Sequence, residues 1–266
     1  DGAGRNIQAC TSRKGKNMQM HLDTIPLWDS FRAGGECPLC TLSQYLEEQF
    51  LDITLGGAAM EPDIRIMSNE KGYCARHFKA LFDRQQRLPL ALITHTHLTE
   101  TVSRLKPLME AAMPGAEPVK RGLFAGKGAP DPTLQLLDQL EQTACSCMIC
   151  QRVASNMERY QQTCASLYHK DPSFAALYRQ GQGFCLPHFA SLLRLARGEL
   201  KGKAWAGFLS DTLSMEQAAL ERLEGELKHF TIMFDYRNAG ADWGSSRDAL
   251  PRVIAKLRGA PRPDEG

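Results

Sequence analysis

The feature that most constrains this chain is a cysteine and histidine motif that occurs twice. Each copy has a Cys-x-x-Cys pair followed, after a long gap, by a Cys-x-x-His pair. The eight residues are Cys37, Cys40, Cys74, His77, Cys147, Cys150, Cys185 and His188. The first pairs of the two copies are 110 residues apart and the second pairs 111, so a single insertion separates them. Agreement of this kind indicates a tandem duplication.

The two copies also match around the cysteines and histidines, since Gly72-Tyr73-Cys74 corresponds to Gly183-Phe184-Cys185. Between the two copies the chain is rich in proline and glycine, which break helices and mark connections. We therefore divide the chain into five parts. They are a disordered extension or tag (1–17), the first repeat (18–113), a Pro/Gly-rich linker (114–132), the second repeat (133–235) and a C-terminal segment with a short helix and tail (236–266).

The sequence between the ligand pairs predicts helices. Residues 42–55 are rich in helix formers and end at two glycines, and a shorter return helix is expected at 62–70. In the second repeat, Asp171 and Pro172 form an N-cap and first-turn signal. Nowhere does the sustained alternation of a half-buried strand appear. The predicted fold is all-α, with tandem-duplicated helical repeats that are each organised round a Cys3His metal site.

A long apolar stripe follows in the second repeat. Its members recur every three or four residues, as on one face of a helix. They are Leu209, Leu213, Leu220, Leu223, Leu227, Phe230 and Phe234, and the pattern is interrupted at Glu216. We expect this stripe to be buried as a packing seam.

Residues at i and i+3 in the first turn of a helix point the same way, so each pair forms a pincer of two donors. Two pincers complete a tetrahedron of three thiolates and one imidazole, which is an established structural zinc set. We expect two zinc ions, each held within one repeat. Ligation by cysteines with one histidine also occurs in iron–sulfur clusters, which is the alternative cofactor.

Residues near the ligands suggest further roles. Arg76, beside His77, is a candidate to neutralise the negative charge of a three-thiolate zinc site, or else a solvated surface arginine. The first repeat carries charges at Glu61, Asp63 and Arg65 where the second has none in register except Asp171. These three residues are a candidate surface for a ligand or partner, with helix capping and salt bridges as the structural alternative.

Composition narrows the class of protein. The formal net charge is +2 and the basic and acidic residues are interspersed, which argues against nucleic acid as a partner. No apolar run has the length of a membrane helix, and no secretory signal opens the sequence. Nine cysteines, an odd number, argue against a complete disulfide framework. We expect a cytoplasmic protein; a protein partner and a homo-oligomer both stay open.

The chain resembles an uncharacterised family of Cys/His-rich proteins from anaerobic bacteria, over about residues 18–259. The resemblance is carried by five segments: Leu22-Asp23-Thr24-Ile25-Pro26-Leu27-Trp28, Cys37-Pro38-Leu39-Cys40, Met60-Glu61-Pro62-Asp63-Ile64-Arg65, Gly72-Tyr73-Cys74-Ala75-Arg76-His77-Phe78 and Asp242-Trp243-Gly244. It implies membership of a domain family of unknown function and a bacterial setting, and it supplies no activity.

Three functions compete. A zinc-stabilised helical binding or adaptor protein without catalysis has the best support, because both ligand sets are complete and leave no position for water or substrate. An iron–sulfur redox or sensor protein is the second. A thiol–disulfide oxidoreductase is the third, suggested by Cys37-Pro38-Leu39-Cys40 at a helix start, although no βαβ pattern surrounds it.

Overall fold

The computed structural model describes residues 24–56, 61–114, 131–238 and 240–260, and these residues form helices and loops without a strand. This confirms the all-α prediction. The described residues contain eleven α-helices, which are α1 (24–32), α2 (Pro38–Leu55), α3 (Pro62–Lys71), α4 (Ala75–Asp83), α5 (Arg87–Ala112), α6 (Pro132–Cys145), α7 (Met148–Lys170), α8 (Pro172–Arg179), α9 (Leu186–Glu199), α10 (Gly202–Ile232) and α11 (Ala249–Arg258). Two short 3-10 helices, Tyr236–Asn238 and Gly244–Ser246, precede α11.

The helix boundaries follow the local sequence signals. Helix α2 ends at Leu55, immediately before Gly56. Helix α8 begins as predicted, since Asp171 Oδ1 accepts hydrogen bonds from the backbone N–H groups of Ser173 at 2.9 Å and Phe174 at 3.3 Å. These bonds satisfy backbone donors that the first turn of a helix leaves without partners.

The described chain forms two compact units, and the boundaries between them fall inside α2 and α7. One unit contains the described residues up to Tyr45 together with those from Ser155 onward, and the other contains Leu46–Ala154. In the first unit, Phe174 packs edge-on against Phe31, with ring centroids 5.1 Å apart, and Tyr178 stacks on the same ring. In the second unit, α5 packs against both α3 and α6.

Helix α10 forms as predicted, but the prediction that its apolar stripe is buried is wrong for most of the stripe. Leu213 is 47% exposed, Leu220 39% and Phe234 71%. The buried face consists of Phe208, Thr212, Met215, Glu216, Ala219 and Leu223, and of these only Leu223 belongs to the stripe. Glu216, which interrupts the apolar pattern, therefore belongs to the buried face, and the more apolar stripe lies beside it.

Several sequence-based predictions fall outside the described residues. They concern the extension at 1–17, most of the Pro/Gly-rich linker, and parts of the segments around Leu22 and Met60.

Candidate metal centres

All four ligand pairs lie at helix N-termini, as the spacing predicts. Cys74 and Cys185 are the N-cap residues of α4 and α9, and the histidines of the same pairs lie in the first turn of these helices. Cys37 and Cys147 directly precede α2 and α7 in the same way. The partial positive charge of a helix N-terminus favours the thiolate form of cysteine, which is the form that binds metal.

The structure brings the eight residues together in two groups of four. The ligand atoms of each group all lie within 4.8 Å of one another. The Cys37 cluster contains Cys37, Cys40, Cys185 and His188, and the Cys74 cluster contains Cys74, His77, Cys147 and Cys150. Each cluster therefore pairs the Cys-x-x-Cys of one repeat with the Cys-x-x-His of the other. The prediction that each repeat holds its own complete set is wrong, although every predicted residue takes part.

The lengths of the helices help to explain why each cluster combines ligands from both repeats. In the second repeat α7 has 23 residues and the return helix α8 has only 8. At about 1.5 Å per residue, α7 carries the chain about 34 Å away from Cys147 and α8 returns it by only about 12 Å. The first repeat has the same imbalance, with 18 residues in α2 and 10 in α3. The imbalance favours the observed arrangement, in which each Cys-x-x-His meets the other repeat's Cys-x-x-Cys.

In the Cys74 cluster the histidine nitrogen faces all three sulfurs. His77 Nδ1 lies 3.2 Å from Cys74 Sγ, 3.1 Å from Cys147 Sγ and 3.4 Å from Cys150 Sγ. The sulfurs of Cys74 and Cys150 are 3.9 Å apart. His77 is fully buried, whereas Cys150 is exposed, so solvent reaches one corner of this cluster.

The Cys37 cluster has the same arrangement with deeper sulfurs. His188 Nδ1 lies 3.5 Å from Cys37 Sγ, 3.4 Å from Cys40 Sγ and 3.2 Å from Cys185 Sγ. The sulfurs of Cys40 and Cys185 are 3.5 Å apart. All three cysteines are buried. The two clusters thus share a donor set and differ in exposure.

The segment after α11 closes one side of the Cys37 cluster. The backbone N–H of Ala260 donates to Cys40 Sγ at 3.4 Å. The preceding Gly259 has φ +95°, a conformation that favours glycine. A hydrogen bond to a ligand sulfur spreads its negative charge and fixes its orientation. No signal in the ligand motif itself predicts that residues about 220 positions after Cys40 would contact it.

Glu47 and Arg76 lie behind the histidine of the Cys74 cluster. Glu47 Oε1 is 2.8 Å from His77 Nε2, and it also accepts a hydrogen bond from Arg76. The Glu47 side chain is only 8% exposed. Arg76 is therefore placed at this cluster, as the sequence suggested. Glu47 lies among apolar residues of α2, and the sequence pattern did not identify it as a neighbour of the cluster.

A glycine with positive φ precedes each Cys-x-x-His by two residues, and in each unit a side chain from a long helix occupies the space beside it. A Cβ on Gly72 would lie 2.4 Å from His97 Nε2, and one on Gly183 would lie 2.6 Å from Glu216 Oε2 and 2.7 Å from Lys256 Nζ. Glu216 Oε2 also accepts the backbone N–H of Phe184 at 2.9 Å. These contacts fix the loops that present Cys74 and Cys185.

In the metal-free Cys74 cluster the neighbours shift the proton equilibria in opposite directions. Burial alone would lower the pKa of His77, but hydrogen bonds to the Cys147 sulfur and to Glu47 outweigh it and raise the pKa to about 9. Burial would raise the pKa of Cys147, but the hydrogen bond from His77 and backbone N–H groups lower it to about 6. Burial and the Cys147 thiolate raise the pKa of Cys150 to about 12.

In the Cys37 cluster, too, neighbouring groups shift the pKa values of different ligands in opposite directions. Burial, followed by hydrogen bonds that the Cys37 thiol donates to the Cys185 and Cys40 sulfurs, raises the pKa of Cys37 well above its usual range. Hydrogen bonds from Cys185 and Cys37 lower the pKa of Cys40 strongly. Hydrogen bonds to Cys185 and Cys40 overcome burial and raise the pKa of His188 to about 9. In both clusters the neighbouring groups thus favour a protonated imidazole beside an ionised thiol when no metal is bound.

The charged residues Glu61, Asp63 and Arg65 lie at the start of α3. Glu61 occupies the N-cap position without a side-chain capping bond, and Asp63 lies in the first turn, where a negative charge suits the helix dipole. Among the described residues, the structure gives these three side chains no ion pair and places none of them in either cluster.

The comparisons place this chain in a family. The model of a family of unknown function (DUF6062) matches residues 18–264, and the chain belongs to that family. No curated protein and no solved structure matches it. No helix in the described part of the chain combines the length and apolar character needed to cross a membrane.

Proposed function

We propose that each cluster binds one zinc ion, so that the chain carries two. The spacing of the ligand atoms carries this proposal. With Zn–S bonds of about 2.3 Å and Zn–N bonds of about 2.0 Å, a tetrahedral site has edges of about 3.8 Å between sulfurs and about 3.5 Å between sulfur and nitrogen. The donor pairs within hydrogen-bonding distance in the two clusters are 3.1 to 3.9 Å apart, and all donor atoms of a cluster lie within 4.8 Å of one another. The donors are thus already spaced for a single ion.

The same spacing weighs against an iron–sulfur cluster. Such a cluster offers a separate iron to each ligand or pair of ligands, so its protein ligands stand farther apart than those around one ion. Donor atoms that all lie within 4.8 Å of one another fit a mononuclear site better. Three thiolates and a neutral imidazole are also a common structural zinc set.

Of the three candidate functions, the thiol–disulfide oxidoreductase has the least support from the geometry. A disulfide oxidoreductase keeps its Cys-x-x-Cys pair accessible for exchange with a substrate. Here Cys37 and Cys40 are both buried and face a second pincer, Cys185 and His188. The described residues also contain no strand that would belong to a thioredoxin-like unit.

We infer that the zinc ions stabilise a helical binding or adaptor protein. Four protein donors at each ion leave no position for water or substrate, which is the arrangement of structural sites. Thiolate ligands persist in a reducing compartment, which supports a cytoplasmic location. The exposed Glu61 and Asp63 and the half-buried Arg65, at the start of α3, stay the candidate contact surface for a ligand or partner.

Metal analysis of protein purified without oxygen tests the proposal. We expect two zinc ions per chain and no visible absorption, and replacement by cobalt(II) should give the absorption of tetrahedral thiolate sites. Cys74→Ser should release one ion and expose the region around α4 to proteolysis. A visible chromophore with iron and sulfide in the native protein would instead establish the iron–sulfur alternative.

A further inference from the structure

The two clusters have the same donors but different groups behind the imidazole. In the Cys74 cluster His77 Nδ1 faces the sulfurs and Nε2 faces the Glu47 carboxylate at 2.8 Å. In the Cys37 cluster His188 Nδ1 faces the sulfurs in the same way. Among the described residues, however, only His77 of these two histidines is paired with a carboxylate. The asymmetry therefore lies in the surroundings of the ligands and not in the ligands.

The sequence shows where the asymmetry arises. At the 110-residue offset of the first ligand pairs, Glu47 corresponds to Met157, and at the 111-residue offset of the second pairs Arg76 corresponds to Pro187. Neither replacement offers a carboxylate or a guanidinium. The duplication thus kept four ligands in each copy, while only one copy carries the Glu47 and Arg76 pair.

Glu47 decides which nitrogen of His77 is ready for metal. A neutral imidazole carries its proton on one nitrogen and binds metal through the other. The Glu47 carboxylate can only accept a hydrogen bond, so it favours a proton on Nε2 and leaves the Nδ1 lone pair directed at the cluster. Arg76 Nη2, 3.1 Å from Nε2, would favour the opposite tautomer if it donated there. Its ion pair with Glu47 instead holds the carboxylate in place.

We propose that Glu47 is a positioning residue of the Cys74 cluster, which fixes the His77 tautomer and strengthens metal binding at the more exposed of the two sites. The inference rests on the proposed function. The Cys37 cluster surrounds its metal with buried sulfurs and the Ala260 N–H, whereas the Cys74 cluster has an exposed Cys150 and relies on the carboxylate. The two ions are therefore held by different means.

The first test needs no substitution. Long-range ¹H–¹⁵N spectra of histidine side chains in the zinc-loaded protein should show His77 with its proton on Nε2 and its Nδ1 bound to metal. His77→Gln, which removes the imidazole, identifies the signal. A His77 proton on Nδ1 would overturn the proposal, because Glu47 would then have no proton to accept.

The second test compares zinc affinity in variants by competition with a chelator. Loss of a carboxylate that holds a ligating histidine costs about 10–100-fold in metal affinity. We expect this loss for Glu47→Ala at one of the two sites. Glu47→Gln, which keeps an acceptor oxygen and nearly the same shape, should lose less. Glu48→Ala is the matched control, since Glu48 is exposed and pairs with Arg84 instead.

Cadmium-113 spectra assign the loss to a site. The loaded wild type should give two resonances, and Glu47→Ala should shift only the one that Cys74→Ser abolishes. Equal affinity of Glu47→Ala and wild type at that site, or an equal loss at both sites, would refute the role of Glu47. Wild-type protein that binds no zinc would instead refute the proposed function. If Glu47→Ala fails to fold, Glu47→Gln and the tautomer measurement still decide.

Discussion

The backbone N–H of Met148 donates a hydrogen bond of 2.9 Å to the carbonyl oxygen of Gly72. This bond joins the first turn of the second repeat's Cys-x-x-Cys helix to the loop ahead of the first repeat's Cys-x-x-His. Ser146 Oγ donates to Lys71 O beside it, at 2.6 Å. These two hydrogen bonds hold the start of α7 beside the loop that precedes Cys74, and so support the pairing of the two repeats' ligands in the Cys74 cluster.

Paired substitutions should reveal in solution that each cluster combines ligands from both repeats. Cys40→Ser with Cys185→Ser removes two ligands from different repeats but from one cluster, so one of the two ions should remain bound. Cys40→Ser with Cys74→Ser removes two ligands of the same repeat, one from each cluster, so both ions should be lost. Zinc content per folded chain is the measurement. The reverse result would mean that each repeat holds its own ion.

Zinc affinity of the Cys74 cluster should rise with pH. Metal binds the deprotonated forms of cysteine and histidine, so every proton held by the metal-free cluster opposes binding. With pKa values of about 9 for His77, 12 for Cys150 and 6 for Cys147, neutral metal-free protein holds protons on His77 and Cys150. Affinity should increase steeply up to about pH 9 and then less steeply, once His77 has lost its proton.

Competition titrations from pH 6.5 to 10, corrected for the chelator's own protonation, measure this dependence. Proton release in weakly buffered solution gives a second readout, with at least the protons of His77 and Cys150 expelled on binding at pH 7. His77→Cys is a useful comparison, because it keeps four ligands and removes the imidazolium. A wild-type affinity that does not change over this range would contradict the proton assignments.

The ligands and their helical placement could be predicted from the sequence, because both are local. A pair at i and i+3 such as Cys74 and His77 forms a pincer in any first turn, and the duplication identifies all eight residues. Which second pair each ligand pair meets is not determined by the local sequence. It depends on the imbalance between α7 and α8 and on contacts such as that between Met148 and Gly72, which the spacing of the ligands does not contain.

The burial of two charged side chains, Glu216 and Glu47, could not be predicted from the sequence pattern either. Glu216 interrupts an apolar stripe of α10, and Glu47 lies among apolar residues of α2. A charged residue in an amphipathic helix is normally expected to face solvent, so the pattern does not predict that either side chain is buried. Each is buried because a distant residue compensates its charge. For Glu216 the partner is Lys256, whose Nζ lies 2.8 Å from Glu216 Oε1. Periodicity within one helix carries no information about a partner 40 residues away.

Alanine at the two glycines before the Cys-x-x-His pairs should each damage one cluster. Gly72 has φ +60° and Gly183 φ +85°, and an added Cβ at either would overlap a side chain from a long helix. Strain of this kind costs about 1–3 kcal/mol in the free energy of unfolding. Gly183→Ala should loosen zinc in the Cys37 cluster, and Gly72→Ala should loosen it in the Cys74 cluster.

Gly225→Ala is the control for both variants. Gly225 lies within α10 and has open space around its Cα. Alanine is favoured over glycine in a helix by about 1 kcal/mol, so this variant should be slightly more stable with both ions retained. Urea unfolding and zinc retention distinguish the three variants. Unchanged stability in Gly183→Ala would show that Glu216 and Lys256 do not fill the space beside that glycine.

The last prediction concerns the Glu216 and Lys256 pair, whose residues are only 2% and 1% exposed. Lys256→Met keeps the side-chain volume but leaves the Glu216 carboxylate buried with the Phe184 N–H as its remaining partner. Removing one member of a buried ion pair typically costs about 3–5 kcal/mol, because an uncompensated charge stays in the interior. The double variant Glu216→Gln with Lys256→Met removes both charges and keeps an acceptor for Phe184, so it should be more stable than Lys256→Met alone.

Lys106→Met is the matched control, since Lys106 and Glu110 form an exposed pair with N···O 4.0 Å. Such surface pairs contribute about 0–1 kcal/mol, so this change should barely move the urea midpoint. The Lys256→Met variant should also retain zinc poorly in the Cys37 cluster, because Glu216 holds the N–H next to Cys185. A double variant as unstable as Lys256→Met would show that the cost comes from lost packing of the lysine stem and not from the unpaired charge.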